Sequence, residues 1–108
     1  MRVQIHQRPV ALFDSQGVLY DRIRVYAEPR DDGRWLGWLQ FVAAGTHRTL
    51  RTDRETTQAG IAAVAYWAAG LQPVYLEGAL ARAERRAARM PAGAAAGRQS
   101  RAATYTRG

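Results

Sequence analysis

The chain has 108 residues, enough for one domain that buries roughly 60–70% of its unfolded surface and too few for two ordinary ones. Apolar residues make up 47%, but 21 of them are alanines and 17 of those follow residue 58. The absence of cysteine excludes a disulfide framework, a thiolate metal site and a cysteine nucleophile, and it favours a reducing, cytoplasmic setting.

The chain shows no apolar run near the ~18 residues of a membrane span and no basic-then-apolar leader, so a soluble intracellular protein is expected. The net charge of +7 is unevenly placed. Residues 1–81 hold nine arginines against eight acids, whereas residues 82–108 hold seven arginines against Glu84 alone. All sixteen cations are arginine, which excludes Schiff-base chemistry and a phosphate-cradling loop lysine.

Val3 and Ile5 alternate with polar neighbours, the period of a strand with one buried face, and Pro9 ends or kinks that strand at a sheet edge. Residues 10–13 extend it, and Asp14-Ser15-Gln16-Gly17 is turn chemistry. The second strand, over residues 18–28, places Leu19, Ile23, Val25 and Ala27 on one face and Tyr20, Arg22, Arg24 and Tyr26 on the other. Asp21 alone spoils the apolar face. Asp31-Asp32-Gly33 marks a hairpin, and residues 34–42 form the third strand.

Hairpin register follows from matching faces. A two-residue loop would set Val25 against Gln40, whereas a three-residue loop with Gly33 in the left-handed position pairs Val25 with Leu39 and Ile23 with Phe41 inside. The same loop pairs Tyr26 with Trp38 and Arg24 with Gln40 outside, and this register is the one expected.

Ala44-Gly45 is the next turn, and residues 46–51 make a short fourth strand. Thr52-Asp53-Arg54-Glu55 fits a capping box, so a helix is expected to begin near Asp53. Ile61, Val64, Ala65, Ala68 and Leu71 form its apolar stripe, with Trp67 at the margin and Gly70 as its stop. Pro73 suits the first turn of a second helix reaching Met90. Its stripe is Leu76, Leu80, Ala83 and Ala87, and Arg82, Arg85, Arg86 and Arg89 share another face.

The expected fold is therefore α+β: a four-stranded antiparallel sheet with two C-terminal helices on one face, all within residues 1–90. Ile23, Val25, Leu39, Phe41, Ile61, Val64, Leu71, Leu76 and Leu80 are the expected core, with Trp35 and Trp67 largely buried. Residues 91–108 are alanine, glycine and arginine with few large apolar groups, the composition of a basic, flexible tail.

Catalysis finds little support. His6 and His47 are the only histidines, and neither has a serine or acid at a spacing that would make a nucleophile and base. No metal or other cofactor is expected, and the pairs Asp31/Asp32 and Asp53/Glu55 sit where turns and helix starts favour acids anyway.

The outer sheet face is more suggestive. It is expected to collect Arg2, His6 and Arg8, then Tyr20, Arg22, Arg24 and Tyr26, then Trp38 and Gln40, then His47 and Arg51, with no acid at its middle. Arginines that track phosphates beside aromatic rings make the composition of a single-strand nucleic-acid platform. Cross-strand packing alone also favours Tyr, Trp and Arg on an open antiparallel face.

Four strands followed by a helix, over residues 1–70, is an element order similar to that of Whirly-type and transcriptional-coactivator folds. That resemblance implies single-stranded DNA binding by an oligomer through a curved sheet. It carries no sequence motif.

The expected function is a non-enzymatic nucleic-acid-binding module with single strands favoured, acting as a homo-oligomer. Its candidate site residues are Arg22, Arg24, Tyr26, Trp38 and Arg51 on the sheet and Arg82, Arg85, Arg86 and Arg89 on the second helix. The competing expectation is a structural or adaptor protein whose sheet face is an oligomer or partner interface, with an acidic protein as another partner for the helix row. A membrane surface is not expected, because the helix offers mostly alanine opposite its arginines.

Overall fold

The computed structural model describes residues 1–90, so the tail expected over residues 91–108 lies outside the described residues. Five strands and two helices follow in order: β1 Val3–Phe13, β2 Leu19–Pro29, β3 Trp35–Ala43, β4 Thr49–Arg51, β5 Thr56–Gln58, α1 Ile61–Ala69 and α2 Pro73–Arg89. The sheet is antiparallel in the order β1-β2-β3-β4, and β5 pairs with β3 beyond β4. This is the expected α+β architecture with one strand added.

The central hairpin has the expected register. Tyr26 faces Trp38, Val25 faces Leu39, Arg24 faces Gln40 and Ile23 faces Phe41. Arg30 and Arg34 close a three-residue loop through Arg30 N–H to the Arg34 carbonyl at 2.7 Å, and Gly33 takes φ +85°, a conformation that a side chain at this position would strain.

β1 lies at the sheet edge, which is why Pro9 is accommodated within it. Two irregularities break its ladder, between Gln4 and His6 and between Pro9 and Leu12. The first carries a functional consequence: the extra residue Ile5 sets His6 opposite Val25 and Arg8 opposite Ile23, on the core side. The expected placement of His6 and Arg8 on the outer face is thereby corrected.

A second bulge lies in β2, between Tyr20 and Arg22. It ejects Asp21 to solvent and turns Tyr20 into the core, fully buried and edge-on to Phe41 at 6.4 Å. Tyr20 therefore leaves the outer face, and Leu19 gives up the core position expected for it. The residue that spoiled the alternation is the one the bulge absorbs.

The expected helix start at Asp53 is replaced by a broken edge strand. Thr52 N–H donates to the Leu39 carbonyl, Glu55 N–H donates to the Gly37 carbonyl, and β5 continues the pairing. Thr52 is fully buried, and its hydroxyl accepts from Leu39 N–H at 3.1 Å. β3 offered unpaired backbone groups along this edge, and satisfying them outweighs a local cap. Asp53 and Arg54 bulge outward, and α1 begins instead at Ile61 after Gly60.

Ile23, Val25, Leu39 and Phe41 form the core with Val64, Leu71, Leu76 and Leu80, as expected. Ile61 is 36% exposed and is not part of it, while Trp35 and Trp67 are only half-buried. Gly37 lets α1 approach closely: a Cβ there would lie 2.9 Å from Val64 Cγ1 and 2.8 Å from Thr56 Cγ2. Both helices pack their apolar residues on the inner face, and the C-terminal part of α2 borders a groove shared with Trp38 and Gln40 of the outer face.

Candidate nucleic-acid interface

Strand register assembles the outer face row by row. Gln4, Tyr26 and Trp38 are aligned across β1, β2 and β3, and the next row runs Gln7, Arg24, Gln40 and Arg51 through β4. Arg22 pairs with Pro9 and Val42 further along and is exposed.

Trp38 is the centre of this face, yet it is only 2% exposed. Tyr26, from β2, stacks on the indole at a centroid distance of 4.7 Å and an angle of 25°. Arg51, from β4 on the other side of β3, lays its guanidinium 3.8 Å from the ring centroid. Arg2 hangs over both rings, at 5.2 Å from Tyr26 and 5.5 Å from Trp38. The indole N–H donates to Glu28 Oε1 at 2.6 Å, and Gln40 Oε1 accepts from both Arg24 and the Tyr26 hydroxyl. The expected aromatic platform is thus present but covered by arginine planes.

These arginines have no carboxylate within salt-bridge distance among the described residues, where the ion pairs run from Arg30 to Asp32, Arg82 to Glu55, and Arg86 and Arg89 to Asp53. Burial, and next the neighbouring Arg86 cation, hold Arg51 below the usual arginine range. A groove of about 920 Å³ opens beside it. Arg2, Trp38 and Gln40 line its sheet side, residues 47–51 its rim, and Ala83, Arg86, Ala87 and Met90 its helix side. Among the described residues, four arginines and His47 line this space, and no carboxylate does.

The row on α2 fares differently. Glu55 accepts from Arg82 through two hydrogen bonds, at 2.7 and 3.0 Å, and from the Tyr75 hydroxyl at 2.5 Å. Burial and that hydrogen bond push the Tyr75 hydroxyl up to about 12. Asp53 accepts from Arg86 Nε at 2.7 Å and from Arg89 at 3.2 Å. Among the described residues, only the exposed Arg85 of the four helix arginines has no acid within salt-bridge distance. The structure therefore brings Arg24, Tyr26, Trp38 and Arg51 together, leaves Arg22 at the far end, and commits Arg82, Arg86 and Arg89 to pinning α2 onto the broken edge strand.

Sequence reasoning missed Arg48 as a site residue. A strand over residues 46–51 would have put it opposite in sense to Arg51, whereas β4 spans only Thr49–Arg51 and leaves Arg48 in the preceding turn, on the groove's rim. Arg2 is brought in by cation–π contacts. His6 and Arg8 serve the inner side instead: Arg8 donates to the Leu71 carbonyl at 2.6 Å, between the helices, and His6 Nε2 is buried without a hydrogen-bond partner among the described residues.

Among the described residues no helix is long and apolar enough to cross a membrane, and no group of three or more His, Asp or Glu side chains lies together as a metal ion requires. No protein-family model, no curated protein and no solved structure matches this chain.

Proposed function

We propose that the protein is a non-enzymatic nucleic-acid-binding module of the cytoplasm that takes single strands in the groove between the outer sheet face and α2. The observation that carries this reading is the groove's lining of Arg2, Arg48, Arg51 and Arg86, with no carboxylate in that lining among the described residues. Arg2, Arg48 and Arg51 have no carboxylate within salt-bridge distance among the described residues, whereas Arg86 is held by Asp53. The three unpaired cations repel one another, and a phosphate backbone relieves that repulsion along its length. Guanidinium planes over Trp38 and Tyr26 add surfaces suited to bases.

The test is a titration of single-stranded and duplex DNA and RNA at several salt concentrations. Single strands should bind more tightly, and replacing both Arg2 and Arg48 by Ala should lower the salt slope by about 1.4 units, at about 0.7 per phosphate contact. An unchanged slope in the double variant would refute the groove as the phosphate site.

A different observation favours self-association as a second property. Residues 56–76 carry no charge in a chain of net charge +7, and within that stretch Tyr66 is 85% and Val74 75% exposed. The central apolar residues of the sheet face, by contrast, are already covered by their neighbours. A second copy is repelled least along the helical side, so an oligomer forms there and leaves the groove open. Light scattering should show Tyr66→Arg shifting an oligomer to monomer, with no change in nucleic-acid affinity per chain beyond lost avidity.

A further inference from the structure

Two groups cover Trp38, and they are held very differently. Tyr26 is anchored by strand pairing and by its hydroxyl on Gln40, while the indole itself is tethered through Glu28. Among the described residues the Arg51 side chain has one hydrogen bond, from Nε to the Thr52 carbonyl at 3.0 Å, and the ring below it. Its guanidinium is half-buried with no carboxylate within salt-bridge distance among the described residues; Arg86 and Arg2 repel it, and the Glu28 and Asp53 carboxylates offset part of that repulsion. It is the groove-lining cation that lies directly on the Trp38 ring, so an anion arriving there meets it first.

We infer that Arg51 is a displaceable cover: an unpaired nucleobase takes its place on Trp38 while the guanidinium turns to a phosphate of the same strand. This rests on the nucleic-acid reading and specifies its ligand as a base-bearing single strand. Arg51 and Trp38 line the same groove, so a nucleotide reaches both. The guanidinium carbon lies 3.8 Å from the ring centroid, close to the separation of stacked aromatic planes, so the exchange replaces one flat group by another and never leaves the indole bare. A duplex satisfies only half of this exchange, because its bases are already stacked and paired.

The experiment uses the full chain and three probes: a ten-nucleotide thymidine oligomer, an abasic oligomer of equal length, and a duplex. The Trp38 indole N–H signal, assigned through its shift in Glu28→Gln, should move on adding the thymidine oligomer and stay near its starting position with the abasic strand. The thymidine oligomer should bind about tenfold more tightly than the abasic one, the contribution of one stacked base. In Arg51→Ala, affinity for the abasic strand should fall about fivefold while affinity for the thymidine oligomer falls less than twofold, because the lost phosphate contact is offset by a stacking face already open.

Equal losses for both strands, or binding of the thymidine oligomer with the Trp38 signal unmoved, would overturn the displaceable cover and leave the groove as a phosphate site. Absence of binding by every probe would overturn the nucleic-acid reading itself.

Discussion

The arginines of α2 and those of the outer sheet face are the same residue type in the same basic chain, but their surroundings divide them. Arg82, Arg86 and Arg89 meet Glu55 and Asp53, acids 27 to 36 residues away in sequence, whereas Arg2, Arg24 and Arg51 meet aromatic rings, an amide and each other. The first group uses its charge to fasten a helix to a sheet edge. The second has no carboxylate within salt-bridge distance among the described residues. A basic row in a sequence is therefore not a binding surface until the acids that come to it have been located.

The largest expected effect tests the fastening side of this contrast. Glu55 is 7% exposed in its side chain, and replacing it by Ala removes the acceptor of Arg82 and Tyr75 together. Breaking a fully buried ion pair costs about 3–5 kcal/mol, and because Arg82 is 41% exposed the loss here should be smaller, about 2–3 kcal/mol in urea unfolding. A loss under about 0.5 kcal/mol would mean that α2 is held by apolar packing alone.

Next come the two arginine groups in direct competition. Arg2→Ala and Arg48→Ala should each weaken single-strand binding about three- to tenfold at low salt, while Arg86→Ala and Arg89→Ala should each change it less than twofold, since an acid already holds both. Fluorescence anisotropy on the four variants decides it. Equal effects in both groups would erase the distinction.

His6 sharpens the contrast across β1 itself. Burial, and next Arg8, lower its pKa from 6.5, so the unfolded chain takes up a proton more readily than the folded one. Stability contributed by neutral His6 is complete above about pH 6.5 and is lost as pH falls through that value toward the lowered folded pKa. Thermal unfolding of His6→Phe across this range should show a flatter acid limb than the unsubstituted chain. Binding should be indifferent to the substitution, because His6 lies on the core side.

The smallest expected effect comes from Asp53→Asn. Its ion pairs are solvent-exposed, so stability should change by less than about 0.5 kcal/mol. Releasing Arg86 and Arg89 should nonetheless raise single-strand affinity by about twofold and steepen the salt slope by up to about 1 unit. Calorimetry with the salt titration would reveal both, and an affinity that falls would place Asp53 among the groups that hold the ligand.

The hairpin from Ile23 to Phe41 was legible because two local signals agreed. Asp31-Asp32-Gly33 specified the loop, and the alternation on either side admitted only one register that buried Ile23, Val25, Leu39 and Phe41 together. The outer pair Tyr26 and Trp38 followed from the same register, although the burial of Trp38 beneath Arg51 did not, since that depends on a strand partner 13 residues away. Bulges at Ile5 and Asp21 were illegible for the opposite reason. Each adds one residue to a strand, and although Asp21 interrupted the apolar face, an interruption does not say which flanking residues turn over; the bulges carry His6, Arg8 and Tyr20 inward.

Composition, alternation and turn chemistry were enough to determine the α+β class, the element order apart from β5, the central register and most of the core, although Ile61 left it, Tyr20 joined it, and Trp35 and Trp67 are only half-buried. Those features depend on neighbours a few residues apart and on a hydrophobic period that a chain carries wherever it goes. Only tertiary structure decided whether Thr52 and Glu55 would cap a helix or complete a sheet edge, because both uses satisfy the same side chains and the choice fell to the unpaired backbone of β3. It likewise decided which arginines would be neutralised: an ion pair forms where docking brings two charges within a few ångströms, and sequence separation carries no record of that distance.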